Sequence, residues 1–216
     1  MDPLRLTIAL GPLAVYLLVL GWMNLSRRPV VVNGARDLLA LAIAVSGFVL
    51  VGPVELLMPL AAASKMGPVV WVLLIGLYGL VVILLAVLAK PRLLLYNITE
   101  EVARPLVADI ALRLDGDARW AGETLVIPKL NVELRLEITP VLRNVALLAN
   151  HERQSVAGWR VLEAALRAEM RRIEVPPNLQ GLSMITFSML VMGLLLFTAA
   201  RDPAGIAQSF FEMLRF

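Results

Sequence analysis

The side chains in this sequence that could do chemistry are mostly isolated from one another. Glu55 lies between Pro53 and Pro59 in VGPVELLMPL, residues 51–60, one of the most apolar stretches of the chain. An ionisable group inside an apolar span is expensive, so such a carboxylate is either a working proton or cation site or marks the point where the apolar region ends. Lys65, ten residues on, is a candidate partner. His151 is the only histidine and stands beside Glu152. A zinc site needs three or four ligands, and the chain has no cysteine, so this histidine reads as structural or solvated. Asp115-Gly116-Asp117 lacks the remaining ligand spacing of a calcium loop and reads as a turn.

Arginines supply the one pattern with a direction. Arg153, Arg160 and Arg167 are spaced by seven, with Arg171 close by, which places them along one side of a helix. Such a row suits contact with anionic lipid headgroups, where each basic residue contributes roughly 1 kcal/mol. The competing reading is a solvated face balanced by Glu163 and Glu169. No glycine-rich phosphate loop, nucleophile elbow or paired-histidine helix motif is present. The expectation is therefore a protein that is not an enzyme and takes no cofactor or metal. The net charge is +3 without a basic run away from the apolar segments, which disfavours nucleic acid as a partner.

The elements that position these residues are dominated by apolar runs. Of the 216 residues 59% are hydrophobic, above the 45–50% usual for soluble domains. Crossing a bilayer takes about 20 apolar residues, necessarily helical. Residues 6–25, 38–63, 68–89 and 182–200 meet that length, which predicts four transmembrane helices. Counted from residue 38, Glu55 falls roughly 25 Å along the second helix, near its far interface. The prolines on either side predict a kink or an end there. Tyr16, Ser46, Tyr78, Thr186 and Ser188 read as packing and local hydrogen-bonding groups within the spans. Gly76, Gly79, Gly193 and the Ala42/Ser46 pair read as close-contact points between helices. Trp22 and Trp71 fit an interfacial aromatic belt.

Arg27, Arg28, Arg36, Lys90, Arg92, Arg171 and Arg172 flank the spans on one side, against Arg5, Lys65, Arg201 and Arg215 on the other. Basic residues favour the cytoplasmic side. The bias puts both termini outside and residues 91–178 in the cytoplasm. Arginine-rich, lysine-poor usage fits a GC-rich bacterial genome, and the expected location is the bacterial inner membrane.

Residues 1–90 thus form a three-helix membrane region, 91–178 a soluble domain, 179–201 the fourth span and 202–216 a tail. The 91–178 domain holds 12 of the 20 basic and 12 of the 17 acidic residues, so it is neutral. LLLYNI at 93–98 suits a buried strand, and Thr99 opens a helix with Val102, Leu106, Ile110 and Leu114 on its apolar face. Pro105 predicts that the regular helix starts near it. LDGDARWAGE is a turn-rich connection. TLVIPKLNVELRLEI, 124–138, alternates like two strands turning at Pro128-Lys129, and 144–150 is another strand. A last helix, 155–173, carries Trp159, Leu162, Leu166, Met170 and Ile173 as its stripe, with Glu163 and Arg167 paired at i, i+4. The order β-α-β-β-β-α predicts an α+β sandwich with both helices on one sheet face, resembling a ferredoxin-like arrangement in topology only. Residues 175–178, Val-Pro-Pro-Asn, are a stiff link to the fourth span. In the tail, Asp202-Pro203 predicts a capped, amphipathic helix on the outer surface.

Two functions compete on this evidence. One is a membrane scaffold or assembly subunit that presents the domain to a protein partner or to copies of itself. The other is an oligomeric small-solute or ion transporter or channel subunit using Glu55 and the broken second span. Membrane lipids are the expected partner in either case.

Overall fold

The computed structural model describes residues 2–54, 69–151 and 153–214. The chain divides into two compact units.

The first unit takes in the chain up to Leu20, Leu38–Val87 and Ser183 onward. Four helices long and apolar enough to cross a membrane run through the described residues. They are α1 (Pro3–Leu25), α2 (Gly34–Val49, continued by a π-helical turn Leu50–Val54), α3 (Val69–Leu88) and a helix at Gln180–Arg201. Their lengths follow from unbroken apolar sequence, and the side chains they expose are themselves apolar. Ile43, Leu80, Val87, Leu190 and Leu196 all face outward, a surface that only hydrocarbon can solvate at low cost.

Three of the polar groups singled out in the sequence donate to backbone carbonyls within this unit. The Ser188 hydroxyl donates to the Ala14 carbonyl at 2.6 Å, the Tyr78 hydroxyl to the Ala42 carbonyl at 2.7 Å, and the Ser46 hydroxyl to the Ile43 carbonyl of its own helix at 2.8 Å. The close-contact glycine is not one of those expected. A Cβ on Gly76, Gly79 or Gly193 would meet nothing within 4 Å, whereas one on Gly47 would fall on the Ile8 carbonyl oxygen. Pro12 explains the site: it has no N–H to return to Ile8, and the bare glycine lets α2 approach that carbonyl. Trp22 is 74% exposed, whereas Trp71 is buried. The π-helical turn at Leu50–Val54 contains Gly52-Pro53, so the second helix loosens where a kink or an end is expected. Glu55 and Lys65 lie outside the described residues.

The second unit takes in Gly21–Asp37 and Leu88–Leu182. It therefore reaches past residues 91–178 to include the last turn of α1 and the first of α2. Its centre is a six-stranded sheet in which every pairing is antiparallel. The strands are β1 (Val30–Asn33), β2 (Arg92–Tyr96), β3 (Arg119–Ala121), β4 (Thr124–Ile127), β5 (Val132–Thr139) and β6 (Asn144–Ala149), in spatial order β1-β2-β6-β5-β4-β3. Helix α4 (Glu100–Leu114) joins β2 to β3, and α5 (Val156–Met170) follows β6.

The ferredoxin-like topology is not what forms. That fold interleaves two helices with its strands, whereas β3 to β6 run as one meander after a single helix, and the first strand comes from between α1 and α2. Two strands escaped the sequence. VVVN is too short to stand out between two long apolar helices. β3 is three residues of the presumed connection, folded onto β4 by a tight turn in which Gly122 has φ of +65°.

Alternation does the rest. Leu93 faces Leu147, Leu95 faces Val145, Leu125 faces Leu134 and Ile127 faces Val132, all buried. The helices cover this one face, as expected: Ala103, Val107, Ile110 and Ala111 from α4, and Trp159, Leu162, Leu166 and Met170 from α5 join the same core. On α4 the buried stripe is turned from the expected one, for Val102 is exposed while Ala103 and Val107 are fully buried. Pro105 also lies within the helix rather than at its start. Its missing N–H leaves the Glu101 carbonyl on an exposed face near the first turn, where water can serve it. Thr99 takes the N-cap position but makes no side-chain cap bond.

Two turns share one design. Pro128–Leu130 and Pro140–Leu142 are single 3-10 turns, each followed by a left-handed residue, Asn131 or Arg143, both with φ of 50°. They reverse the chain on either side of β5.

The helix Gln180–Arg201 is α6, and α7 (Pro203–Leu214) follows it. The Asp202 carboxylate accepts from the Gly205 N–H at 2.8 Å, the cap expected of Asp-Pro.

Candidate functional site: an arginine-lined cleft beside the edge strand

β1 is the outermost strand at one side of the sheet, and α5 packs against it. The start of α5 is fixed by Ser155, whose hydroxyl oxygen accepts from the Gly158 N–H at 3.0 Å. Gly158 is needed there, because a Cβ would strike the Leu130 carbonyl. Gln154 sets the approach. Its amide brackets Glu133 of β5, accepting from the backbone N–H at 3.2 Å and donating to the carbonyl at 2.6 Å, while also accepting from the Trp159 indole at 2.9 Å. With Trp159, Leu162 and Leu166 turned into the core, α5 must present Arg160, Glu163 and Arg167 along its flank toward β1.

Two adjoining clefts lie along that seam. One, of about 290 Å³, is lined by Arg28, Val30 and Val31 on the strand side and by Arg167, Met170 and Arg171 on the helix side. The other, of about 530 Å³, is lined by Asn33 and Arg36 opposite Arg160, Glu163 and Arg167. Arg167 belongs to both. Glu163 is the one carboxylate in the lining: it pairs with Arg167 at 2.6 Å and accepts from the Asn33 amide at 3.3 Å. The i, i+4 pair read from the sequence is therefore formed. Among the described residues Arg28, Arg36, Arg160 and Arg171 have no ion-pair partner.

Three of the four arginines singled out in the sequence thus meet here. Arg153 does not: it is exposed in the segment before α5 and lines neither cleft. Arg28 and Arg36 were missed as members. They lie more than a hundred residues away in the chain and arrive only because β1 joins the sheet.

The segment that carries β1 is held firmly. Asn33 caps α2 by accepting from the Ala35 N–H at 3.0 Å. Asp37, in the first turn of α2, accepts from the Tyr96 hydroxyl at 2.6 Å and pairs with Arg92 at 3.4 Å. A Cβ on Gly34 would collide with the Arg92 side chain. The buried Asn97, in left-handed backbone at φ 58°, donates from its amide to the Ser26 carbonyl at 2.6 Å. The residues after α5 run back along the same segment. Val175 N–H donates to the Arg27 carbonyl at 2.8 Å, and Asn178 N–H to the Asn24 carbonyl at 2.9 Å.

The planar guanidinium groups along the cleft can bind and orient an anion. The other sequence candidates lie elsewhere in this unit. His151 stands 3.2 Å from Glu133 with both side chains exposed. Asp115 is a bracket: its carboxylate accepts from the Lys129 N–H at 2.7 Å and the Asp117 N–H at 3.0 Å, which together hold its pKa below the ordinary aspartate range.

Compared with known proteins, the chain matches no family model, no curated protein and no solved structure.

Proposed function

We propose that this protein is a non-enzymatic membrane scaffold or assembly subunit of a bacterial inner membrane, displaying its α+β unit in the cytoplasm with both termini outside. The observation that carries the reading is the way the sheet is built. Its edge strand is the connection between α1 and α2, and the chain leaving α5 is hydrogen-bonded to residues 24–27. A sheet unit built from two separate connections between spans and cross-linked within itself is one cooperative body, which favours presenting a surface over opening and closing a pathway. The basic flanks of the spans support the orientation. The tail helix, with Ile206 and Phe210 along it, rests on the outer face of the membrane in this reading.

Purification of the full chain from its native membrane in mild detergent tests the role. A stoichiometric protein partner or a defined homo-oligomer is expected. A lone monomer would count decisively against a scaffold.

One observation favours a second reading, an oligomeric small-solute or ion transporter or channel subunit. The π-helical turn at Leu50–Val54 loosens the second span at Gly52-Pro53, next in sequence to Glu55, and irregular helices place backbone and side-chain ligands for ions. Replacing Glu55 by Gln separates the two. Flux that disappears in reconstituted vesicles supports transport, whereas growth and assembly unaffected by the substitution support the scaffold.

A further inference from the structure

We propose that the cleft between β1 and α5 binds the headgroup of an anionic phospholipid carrying two phosphates, one phosphate in each half. The inference rests on the membrane reading of the four helices and not on the scaffold role.

Charge makes the first argument. Five arginines line the two halves against one carboxylate, and Glu163 is already committed to Arg167 and Asn33. Four guanidinium groups gathered without counter-charge repel one another, and an anion seated among them relieves that repulsion. Arginine suits phosphate in particular, because its planar fork meets two phosphate oxygens at once.

Place makes the second. Arg28 is three residues beyond the end of α1 and Arg36 is the third residue of α2. At no more than about 3.6 Å per residue, both lie within about 11 Å of a span end along the chain. Chain within that reach of a span end is in or next to the headgroup layer, where basic pockets beside spans hold polyanionic lipid heads. A freely diffusing phosphate compound needs no such position.

Shape makes the third. The cleft is two chambers joined at Arg167, each with its own arginine pair: Arg28 and Arg171 in one, Arg36 and Arg160 in the other. A single phosphodiester fills one chamber and leaves the other pair unmatched. Two phosphates on one headgroup satisfy both, with Arg167 between them. Val30, Val31 and Met170 give the smaller chamber an apolar wall against which glycerol or acyl carbons can pack.

The full chain in detergent, titrated with cardiolipin or with phosphatidylglycerol at equal phosphate and followed by native mass spectrometry, tests this. The expected result is one cardiolipin per chain, bound at least tenfold more tightly than phosphatidylglycerol. Arg28→Gln/Arg171→Gln and Arg36→Gln/Arg160→Gln, all at exposed positions, should each reduce the preference to less than threefold. Arg153→Gln should leave it unchanged. Equal affinity for the two lipids, or a preference that survives both double variants, overturns the proposal. So does displacement of bound lipid by millimolar pyrophosphate, which would assign the cleft to a soluble phosphate compound.

Discussion

Asn178 and Asn24, separated by 154 residues, are joined twice. The Asn178 backbone N–H donates to the Asn24 carbonyl at 2.9 Å, and its side-chain amide donates to the Asn24 side-chain oxygen at 3.4 Å. Both residues are buried. Asn178 also accepts from the Gln180 N–H at 3.1 Å, so one side chain ties the end of α1 to the start of α6. Replacing Asn178 by Ala removes its side-chain hydrogen bonds to Asn24 and to the Gln180 N–H, at a cost of about 0.5–1.5 kcal/mol each. Thermal unfolding of the purified protein in detergent should show the loss. Asn178→Asp, which keeps the acceptor, should recover the part owed to Gln180.

The Tyr96 hydroxyl and Asp37 anchor α2 to the sheet at 2.6 Å. A hydrogen bond to a charged group contributes about 1.5–3 kcal/mol. Tyr96→Phe should lower stability by that amount and speed hydrogen exchange in β1, the strand that Asp37 helps to place. Exchange confined to β3 and β4 would show that the bond does not hold the edge strand.

Gly47 and Ile8 mark the closest approach in the membrane unit. Gly47→Leu should separate α1 from α2 and cost about 1–3 kcal/mol or more, because the obstacle is backbone and cannot turn aside. Gly76→Leu, at a position open within 4 Å, should stay within about 0.5 kcal/mol. Resistance to inactivation by harsh detergent, compared for the two variants, distinguishes the sites.

Asp115 predicts a pH dependence. The Lys129 and Asp117 N–H groups depress its folded pKa, so its stabilising contribution is complete above the ordinary aspartate range and is lost as pH falls through the lower, folded value. The gap in unfolding temperature between wild type and Asp115→Ala should therefore be widest near neutral pH and close under acid conditions. A gap that widened in acid would reverse the assignment.

The sequence by itself determined what depends on local pattern. Runs of apolar residues predicted the four span-length helices, because length and hydropathy are properties of contiguous chain; the expected end of the second, at residue 63, lies outside the described residues. Period-two and period-3.6 spacing predicted β2, β5, β6 and α5, the Ser155 and Asp202 helix starts, and the Glu163–Arg167 pair. Spacing by seven also put Arg160 and Arg167 on one side of α5. What the tertiary structure decided was everything that depends on distant chain meeting. VVVN has no alternation to betray it, so only pairing with β2 makes it a strand, and only that strand carries Arg28 and Arg36 to α5. The pairing of β2 with β6 rather than a ferredoxin-like order, the choice of Gly47 over Gly76 as the close contact, and the Asn24–Asn178 bond have the same origin. Each is a relation between surfaces formed far apart in sequence, and no local periodicity encodes which surface a residue will meet.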